Sequence, residues 1–450
     1  MALGEAPDSV PVSTDVRKGR FTAPQALDGG VVDRIVRHFA NTMQVTRVHP
    51  AAANLHRPGA LHLKYDDREQ VFGPARTFRV DVPPGTPIMD LVDSLSQVAT
   101  VESAMPNYVS VAPFSVASVE VETDWAPWEM VYAAEALAYE RGDPAVIIGV
   151  VDSGVTEDHP ELAGKLRSGF DTVQLGKSEL ALGVELLGDR AGVDTNPSDG
   201  YVGHGMGCAG IIGALGLAMP PGISGDAQIL PMRGLGAARF PGKTQPVGIG
   251  AATDLDMAVK MAVDLGAKVI NMSFGTDDDA LEPGGPKPHA DVVRYASDRG
   301  CVLVAASGNN GKETRYWPAA YPEVIAVGSV GADKQPSAFS TRGDHVALCA
   351  PGERIYTLGL EGYQRATGTS FAAPFVAAVA ALMVARGQRR SMPLEEGLVK
   401  SLLINSASPF AGAPPKGCGA GVLDAHAALR ALDGYIDRAF PGDTVQSDDG

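Results

Sequence analysis

Three short stretches of this chain hold the residue types of nucleophilic chemistry. "ATGTSFAAP" (366–374) places Ser370 ahead of an almost wholly apolar run, "GHGMGCAGIIGAL" (203–215) holds His204 between glycines, and "VIIGVVDSG" (146–154) ends on Asp152 and its turn. Each has a plain structural reading when taken alone. A serine before a helix caps it by accepting first-turn N–H groups, an aspartate at a strand end forms a turn, and an isolated histidine is a core or surface group. Taken together they supply a nucleophile, a general base and a carboxylate that orients the base. A helix starting at Ser370 would also turn its partially positive end toward a serine that becomes negative during a reaction. Glycines on both sides of His204 would let it lie beside another backbone. Further polar residues close apolar runs: Asn271 and Ser273 end "AKVINMS" (267–273), and Asn309 follows "CVLVAASG" (301–308).

Such residues need a frame. Continuous apolar runs at 145–151, 227–232, 267–273, 301–307 and 323–330 read as strands covered on both faces, with helical patterns at 254–266 and 290–300 between them. The spacing predicts a doubly wound, mostly parallel α/β unit over residues 126–435, in which ligands bind outside the carboxyl ends of the strands. Asp152, Ser273 and Asn309 fall at those ends. The run "FAAPFVAAVAALMVA" (371–385) is apolar on every face and reads as a buried helix, at about fifteen residues too short to cross a bilayer. Ahead of this unit, helical spacing at 31–43 and 87–98 alternates with extended patterns at 60–66, 77–82 and 100–111, which predicts a small α+β unit over 31–113. Residues 1–30 read as a mobile tail, 114–125 as a linker and 436–450 as an acidic disordered tail.

A chain of 450 residues with 45% hydrophobic and 20% charged content is soluble and globular in type, with room for two or three domains. The formal net charge of -16, with no basic block to offset it, argues against a nucleic-acid partner. The four cysteines form no C-x-x-C pair and no zinc spacing, so Cys208, Cys301 and Cys349 are expected as reduced core thiols. The first residues lack the basic and apolar segments of a secretory signal, and the expectation is a cytoplasmic protein without a membrane partner.

The motifs resemble those of the subtilisin-like (S8) serine proteases. The order Asp…His…Ser is that of subtilisin, whereas α/β-hydrolases run Ser…Asp/Glu…His and chymotrypsin-type enzymes run His…Asp…Ser. "VVDSGVTEDHPEL" (150–162), "GHGMGCAG" (203–210), "SGNNG" (307–311) and "GTSFAAP" (368–374) are similar to the family's aspartate, histidine, asparagine and serine motifs, and the likeness spans about residues 124–432. It implies a serine endopeptidase with Ser370 as nucleophile, His204 as base, Asp152 as its orienting carboxylate and Asn309 as oxyanion donor. It also implies that the strips "NMSFGT" and "AASG" line the S1 pocket and pair with the substrate backbone. That sets Ser273, Phe274, Gly275, Ala306, Ser307 and Gly308 against a peptide or protein substrate, with Tyr316 near the pocket floor. Two departures stand out. The family's H-G-T-H reads His204-Gly205-Met206-Gly207 here, with Cys208 similar to the thiol near the site of proteinase K-like members. Glu161 can stand for the carboxylate of the family's calcium loop, but "LGLAMPPGISG" (215–225) lacks its asparagine, so no cofactor is expected and calcium has little support.

The front unit is similar to the propeptide domains of these proteases over residues 77–111. The resemblance implies a self-inhibited precursor in which the chain's own N-terminal domain is an intramolecular inhibitor, with "NYVSVAPF" (107–114) in the cleft. Two other readings compete. One is a catalytically silent peptide-binding module, suggested by the altered loop after His204. The other is a peptide cyclase or ligase that passes the same acyl-enzyme to an amine.

Overall fold

The structure, a computed structural model, describes residues 1–4, 7, 9–56, 64–117, 123–176, 180, 183–192 and 194–439. Its centre is a seven-stranded sheet. In chain order the strands are β1 (Ile147–Asp152), β2 (Phe170–Asp171), β3 (Gln228–Arg233), β4 (Val269–Met272), β5 (Val302–Ala306), β6 (Val324–Val330) and β7 (Val346–Pro351). They lie side by side as β7-β6-β5-β4-β1-β3-β2, and every pairing among them is parallel. Neighbours one apart in β1 enter different cores. Ile148 and Val150 face helices α1 (His204–Gly213), α4 (Thr369–Arg389) and α6 (Ala425–Ala439), while Ile147 and Val151 face α2 (Ala252–Asp264) and α3 (Ala290–Asp298). Both faces of the sheet are therefore dry, which is why its strands read as unbroken apolar runs. A further helix, α5 (Glu396–Ser406), packs at β7 and α6.

Helix α4 is longer than the sequence pattern suggested, at 21 residues, and so reaches membrane-spanning length. Of an 18-residue window of it, 94% is buried inside the protein, so it is the central core helix. Glycine and alanine let it pack close. Around α1, a Cβ on Gly207 would stand 2.7 Å from the Phe371 ring and one on Gly210 would stand 2.5 Å from Thr357 Oγ1.

The front unit has its own small core, built from amphipathic helices Val31–Phe39 and Ile88–Ser96 over the antiparallel pair Gln44–Arg47 and Phe78–Asp81. The helix read over 31–43 stops at Phe39, because Ala40 is extended. The strand read over 60–66 falls largely outside the described residues, and 64–66 are not strand.

Three boundaries differ from expectation. Residues 1–30 were expected as a mobile tail, yet Ala2–Leu3 pairs with Val101–Ser103, and Leu3, Val10 and Leu27 are buried in the small core. Buried Arg47 fixes this segment by donating to the carbonyls of Val10 (3.1 Å) and Pro7 (2.7 Å). Polar composition hid these few apolar anchors. The linker expected over 114–125 begins as structure, since Ser115–Ala117 pairs with Tyr363–Thr367. Residues 118–122 lie outside the described residues. The acidic tail was expected from 436, but α6 runs to Ala439 and buries Ile436; residues 440–450 lie outside the described residues.

Candidate active site

The polar residues of interest sit where the parallel strands end. Asp152 closes β1, Asn271 lies in β4 with Ser273 just beyond it, and Asn309 follows β5. His204 and Ser370 come from the first turns of α1 and α4, helices that pack against each other beneath these strand ends. Asp152 and His204 are fully buried and meet at 2.7 Å between Oδ1 and Nδ1. Nδ1–H donates there, which turns Nε2 outward, and among the described residues Nε2 has no hydrogen-bond partner. Ser370 is also buried, and its hydroxyl donates to the Ser273 carbonyl at 3.2 Å.

His204 is seated by neighbours that motif reading missed. Asp199 accepts the N–H groups of Tyr201 (2.9 Å), Val202 (2.9 Å) and Gly203 (2.7 Å), and the Ser153 hydroxyl (2.6 Å). Ser153 Oγ in turn accepts the Gly205 N–H at 3.0 Å, tying the first turn of α1 to the end of β1. Gln364 closes the other side by donating 2.7 Å to the Gly203 carbonyl. Gly203 has φ +76°, and a Cβ at Gly205 would meet the Gly154 carbonyl oxygen at 2.3 Å, so both positions need glycine. The second histidine of H-G-T-H has no space here. Phe371, Gln364 and Thr357 surround Gly207, each within 3.2 Å of where a Cβ would stand. The only sequence signal for the Asp199 anchor was "PSDGYVG" (197–203), which looks like an ordinary turn.

Helix α4 contains Pro374, whose ring nitrogen cannot donate to the carbonyl four residues earlier. That carbonyl belongs to Ser370. It accepts instead from Ser273 Oγ (2.8 Å) and Cys208 Sγ (3.4 Å), which locks the start of α4 onto the strip after β4. The Cys208 thiol also reaches Asp152 Oδ2 at 3.6 Å. Burial first, and the Asp152 charge next, push this thiol well above its ordinary pKa, so it stays a neutral donor. Asp152, His204 and Cys208 lie close together, and here Asp152 Oδ1 is engaged by His204 Nδ1 while the thiol reaches Oδ2.

Asn309 is aimed by Thr369. Its Oδ1 accepts from the Thr369 N–H (2.8 Å) and hydroxyl (2.9 Å), which leaves Nδ2 to donate. Nδ2 gives 2.9 Å to the carbonyl of Pro113, a residue of the chain's own front segment. On one side of that carbonyl, Val109–Ala112 pairs antiparallel with Val247–Ala251, and Val111 exchanges N–H···O bonds with Gly275 at 3.2 and 3.4 Å. On the other side, Ser115–Ala117 pairs with Tyr363–Thr367. Phe114 stands edge-on to the His204 ring, with centroids 4.9 Å apart. The chain thus crosses the whole cleft with the Pro113–Phe114 peptide bond between Asn309 and His204.

The six strip residues divide. Gly275 pairs with Val111, the Ser273 carbonyl accepts from Ser370 Oγ and the Gly308 N–H donates to Thr369 Oγ1 at 3.2 Å, whereas Phe274 is a core side chain edge-on to His289 and Ser307 donates 3.0 Å to the Thr341 carbonyl. Ala306 belongs to the core under α4. Phe274, Ala306 and Ser307 are all buried. The strand Val247–Ala251 was not legible, because in "VGIGA" glycines at 248 and 250 interrupt the Val247 and Ile249 signal.

Calcium has no seat at Glu161. Its carboxylate accepts N–H from Gly216 (2.7 Å), Leu217 (2.9 Å) and Ala218 (2.7 Å), and the Tyr363 hydroxyl (3.0 Å). Burial opposes ionisation there, yet these donors hold Glu161 below its ordinary pKa. Hydrogens point where a cation would have to sit, so the residues present do not fit one.

Parallel doubly wound sheet, strand-end aspartate, and paired Gly/Ala-rich helices carrying histidine and serine define a subtilisin-like serine protease. The model of the subtilase family (peptidase S8) matches residues 143–423, and the chain belongs to that family. Thermitase of Thermoactinomyces vulgaris is 33% identical over 285 residues, 63% of this chain and 88% of that one. The thermophilic serine proteinase of Bacillus sp. (strain AK1) is 32% identical over 305 residues, covering 66% and 67%. A solved protease from Pseudoalteromonas arctica PAMC 21717 shares the fold at a TM-score of 0.57 and 24% identity, covering 68% of this chain and 96% of that one. The protein is a peptide hydrolase.

Proposed function

We propose that the protein is a serine endopeptidase made as a self-occupied precursor, with Asp152, His204, Ser370 and Asn309 as its catalytic groups and the front unit as its inhibitor. The observation that carries this is the peptide bond after Pro113, whose carbonyl accepts from Asn309 Nδ2 while chain continues through the cleft on both sides. A site that holds chain on both sides of a bond suits an endopeptidase. Ser370 Oγ adds to the bound carbonyl carbon and its proton passes to His204 Nε2, which Asp152 orients through Nδ1–H. The oxyanion takes donors from Asn309 Nδ2 and from the Ser370 amide at the head of α4. His204 then gives its proton to the departing amine nitrogen, and a water repeats the sequence to free the acid and restore the serine. Phe274, Ala306 and Ser307 contribute main chain, and Ser273, Gly275 and Gly308 the cleft-facing parts of the two strips.

Intact-mass measurement of wild type beside Ser370→Ala tests this. The expected result is fragments 1–113 and 114–450 for wild type and an uncut chain for the variant. An uncut wild type that also fails to take a fluorophosphonate label on Ser370 would refute it and leave a silent peptide-binding module. Products lighter by one water than hydrolysis requires would instead indicate transfer to an amine.

A further inference from the structure

We infer that Tyr316 sets the size of the residue accepted ahead of the cut bond, making this a protease for peptides with a small residue there. The inference rests on the reading above, in which Pro113 occupies that position. The register that pairs Val111 with Gly275 brings Pro113, two residues on, opposite Ser273. The slot for a side chain at 113 lies between the strips 273–275 and 306–308, and Pro113 itself stays exposed outside it. That slot is occupied. A Cβ on Gly275 would stand 2.5 Å from Tyr316 Cε1, and one on Gly308 would stand 3.0 Å from Tyr316 Cγ, so a single phenol ring touches both walls.

The ring is held in place. Tyr316 and Trp317 pair with Asp277 and Thr276, Trp317 Nε1 donates to Asp278 at 2.7 Å, and Tyr316 is 8% exposed. Its hydroxyl donates 3.2 Å to the Val111 carbonyl, which fixes the ring against the seated segment as well. Bulk forced into a packed site costs off-rotamer side chains and backbone shifts. Proline, alanine, glycine or serine fit above this ring. Leucine, phenylalanine, lysine and arginine do not.

The test uses peptides of the sequence 107–117 with alanine, proline, leucine or phenylalanine at position 113, offered to the full-length protein and to Tyr316→Ala. Cleavage after position 113 is read by mass spectrometry as kcat/KM. Wild type is expected to favour alanine over phenylalanine by at least about tenfold, and Tyr316→Ala to move that ratio toward phenylalanine by at least about tenfold. Tyr316→Leu, which keeps apolar bulk, should fall between. Placing the same residues at 113 of the chain itself, with self-cleavage read by intact mass, repeats the series without an external peptide. Equal cutting of both peptides by wild type, or a ratio unmoved in either Tyr316 variant, would overturn the pocket assignment alone. No cleavage of any peptide or of the chain, with Ser370→Ala indistinguishable, would remove the hydrolytic reading and the assignment with it.

Discussion

The front unit touches the large unit in two quite different ways. In the cleft the contact is mostly main chain: strands 109–112 and 115–117 add to existing strands, Asn309 Nδ2 and the Tyr316 hydroxyl reach carbonyls of the segment, and Phe114 meets the His204 ring. At α2 the contact is a buried charge cluster. Lys260 Nζ is wholly buried and donates to the Pro50 carbonyl (2.6 Å), to Asp264 (2.6 Å) and to Glu69 of the front unit, while Tyr295 donates to Asp264 at 2.6 Å. Main-chain pairing tolerates many sequences, as a site for varied peptides must. A desolvated charge cluster is specific to its partner and survives a cut at residue 113. One contact resembles a substrate, and under the proposed self-cleavage the other would still hold the front piece.

The sharpest break between the two contacts is Ser370→Ala. It should lower kcat by about 10⁶-fold, the size known for subtilisin itself, while both contacts and the melting profile persist; residual activity near wild type in a sequence-verified sample would end the assignment. Asn309→Ala removes the donor to the seated carbonyl. A fall of about 10²–10³ in kcat with little change in KM is expected, again a magnitude known for subtilisin; steady-state kinetics would separate this from a loss of binding alone.

Lys260→Met acts only on the second contact. It leaves Glu69 and Asp264 buried without their cation, and losing one partner of a buried ion pair costs about 3–5 kcal/mol. The front unit should come off more readily after cutting, seen as earlier loss of self-inhibition and an earlier first melting transition, with the intrinsic cleavage rate unchanged. Pro113→Ala sharpens the first contact. Proline has no N–H to offer the Ser273 carbonyl, which instead holds the Ser370 hydroxyl. An alanine would supply that N–H and free the serine for His204. One net hydrogen bond, at about 0.5–1.5 kcal/mol, corresponds to self-cleavage faster by about tenfold at most; time-resolved intact mass measures it.

The smallest effect lies away from both contacts. Burial raises Glu396, on α5, to about pH 7, against the attraction of Lys400. A carboxyl whose folded pKa is raised gives stability that is complete below its unfolded pKa and is lost as pH rises through about 7. Glu396→Gln should therefore match or exceed wild type in Tm at pH 8 and show little advantage at pH 5, without altering docking; a larger gain at pH 5 would contradict the sign.

Much was written locally. Five of the seven strands of the sheet announced themselves as apolar runs, whereas Phe170–Asp171 and Val346–Pro351 did not, and Asp152, His204, Asn309 and Ser370 stood in short motifs whose order alone separated this family from other serine hydrolases. Those features depend on neighbours in the chain, so periodicity and motif spacing could carry them. Tertiary structure decided the rest. The strand Val247–Ala251 is held between Val109–Ala112 and Gly236–Arg239; Leu3, Val10 and Leu27 are buried in the small core, and Arg47 donates to the Val10 carbonyl. His204 is seated by Asp199 and Ser153, from a turn and a strand end, and Tyr316, expected near a pocket floor, is brought against Gly275 and Gly308 by its pairing with Asp277. A strand of four or five residues carries too little side-chain pattern to show itself, and its hydrogen bonds exist only once a distant partner has been brought alongside. Which side chain fills a pocket is likewise a matter of packing between segments far apart in the chain, and local sequence does not encode it.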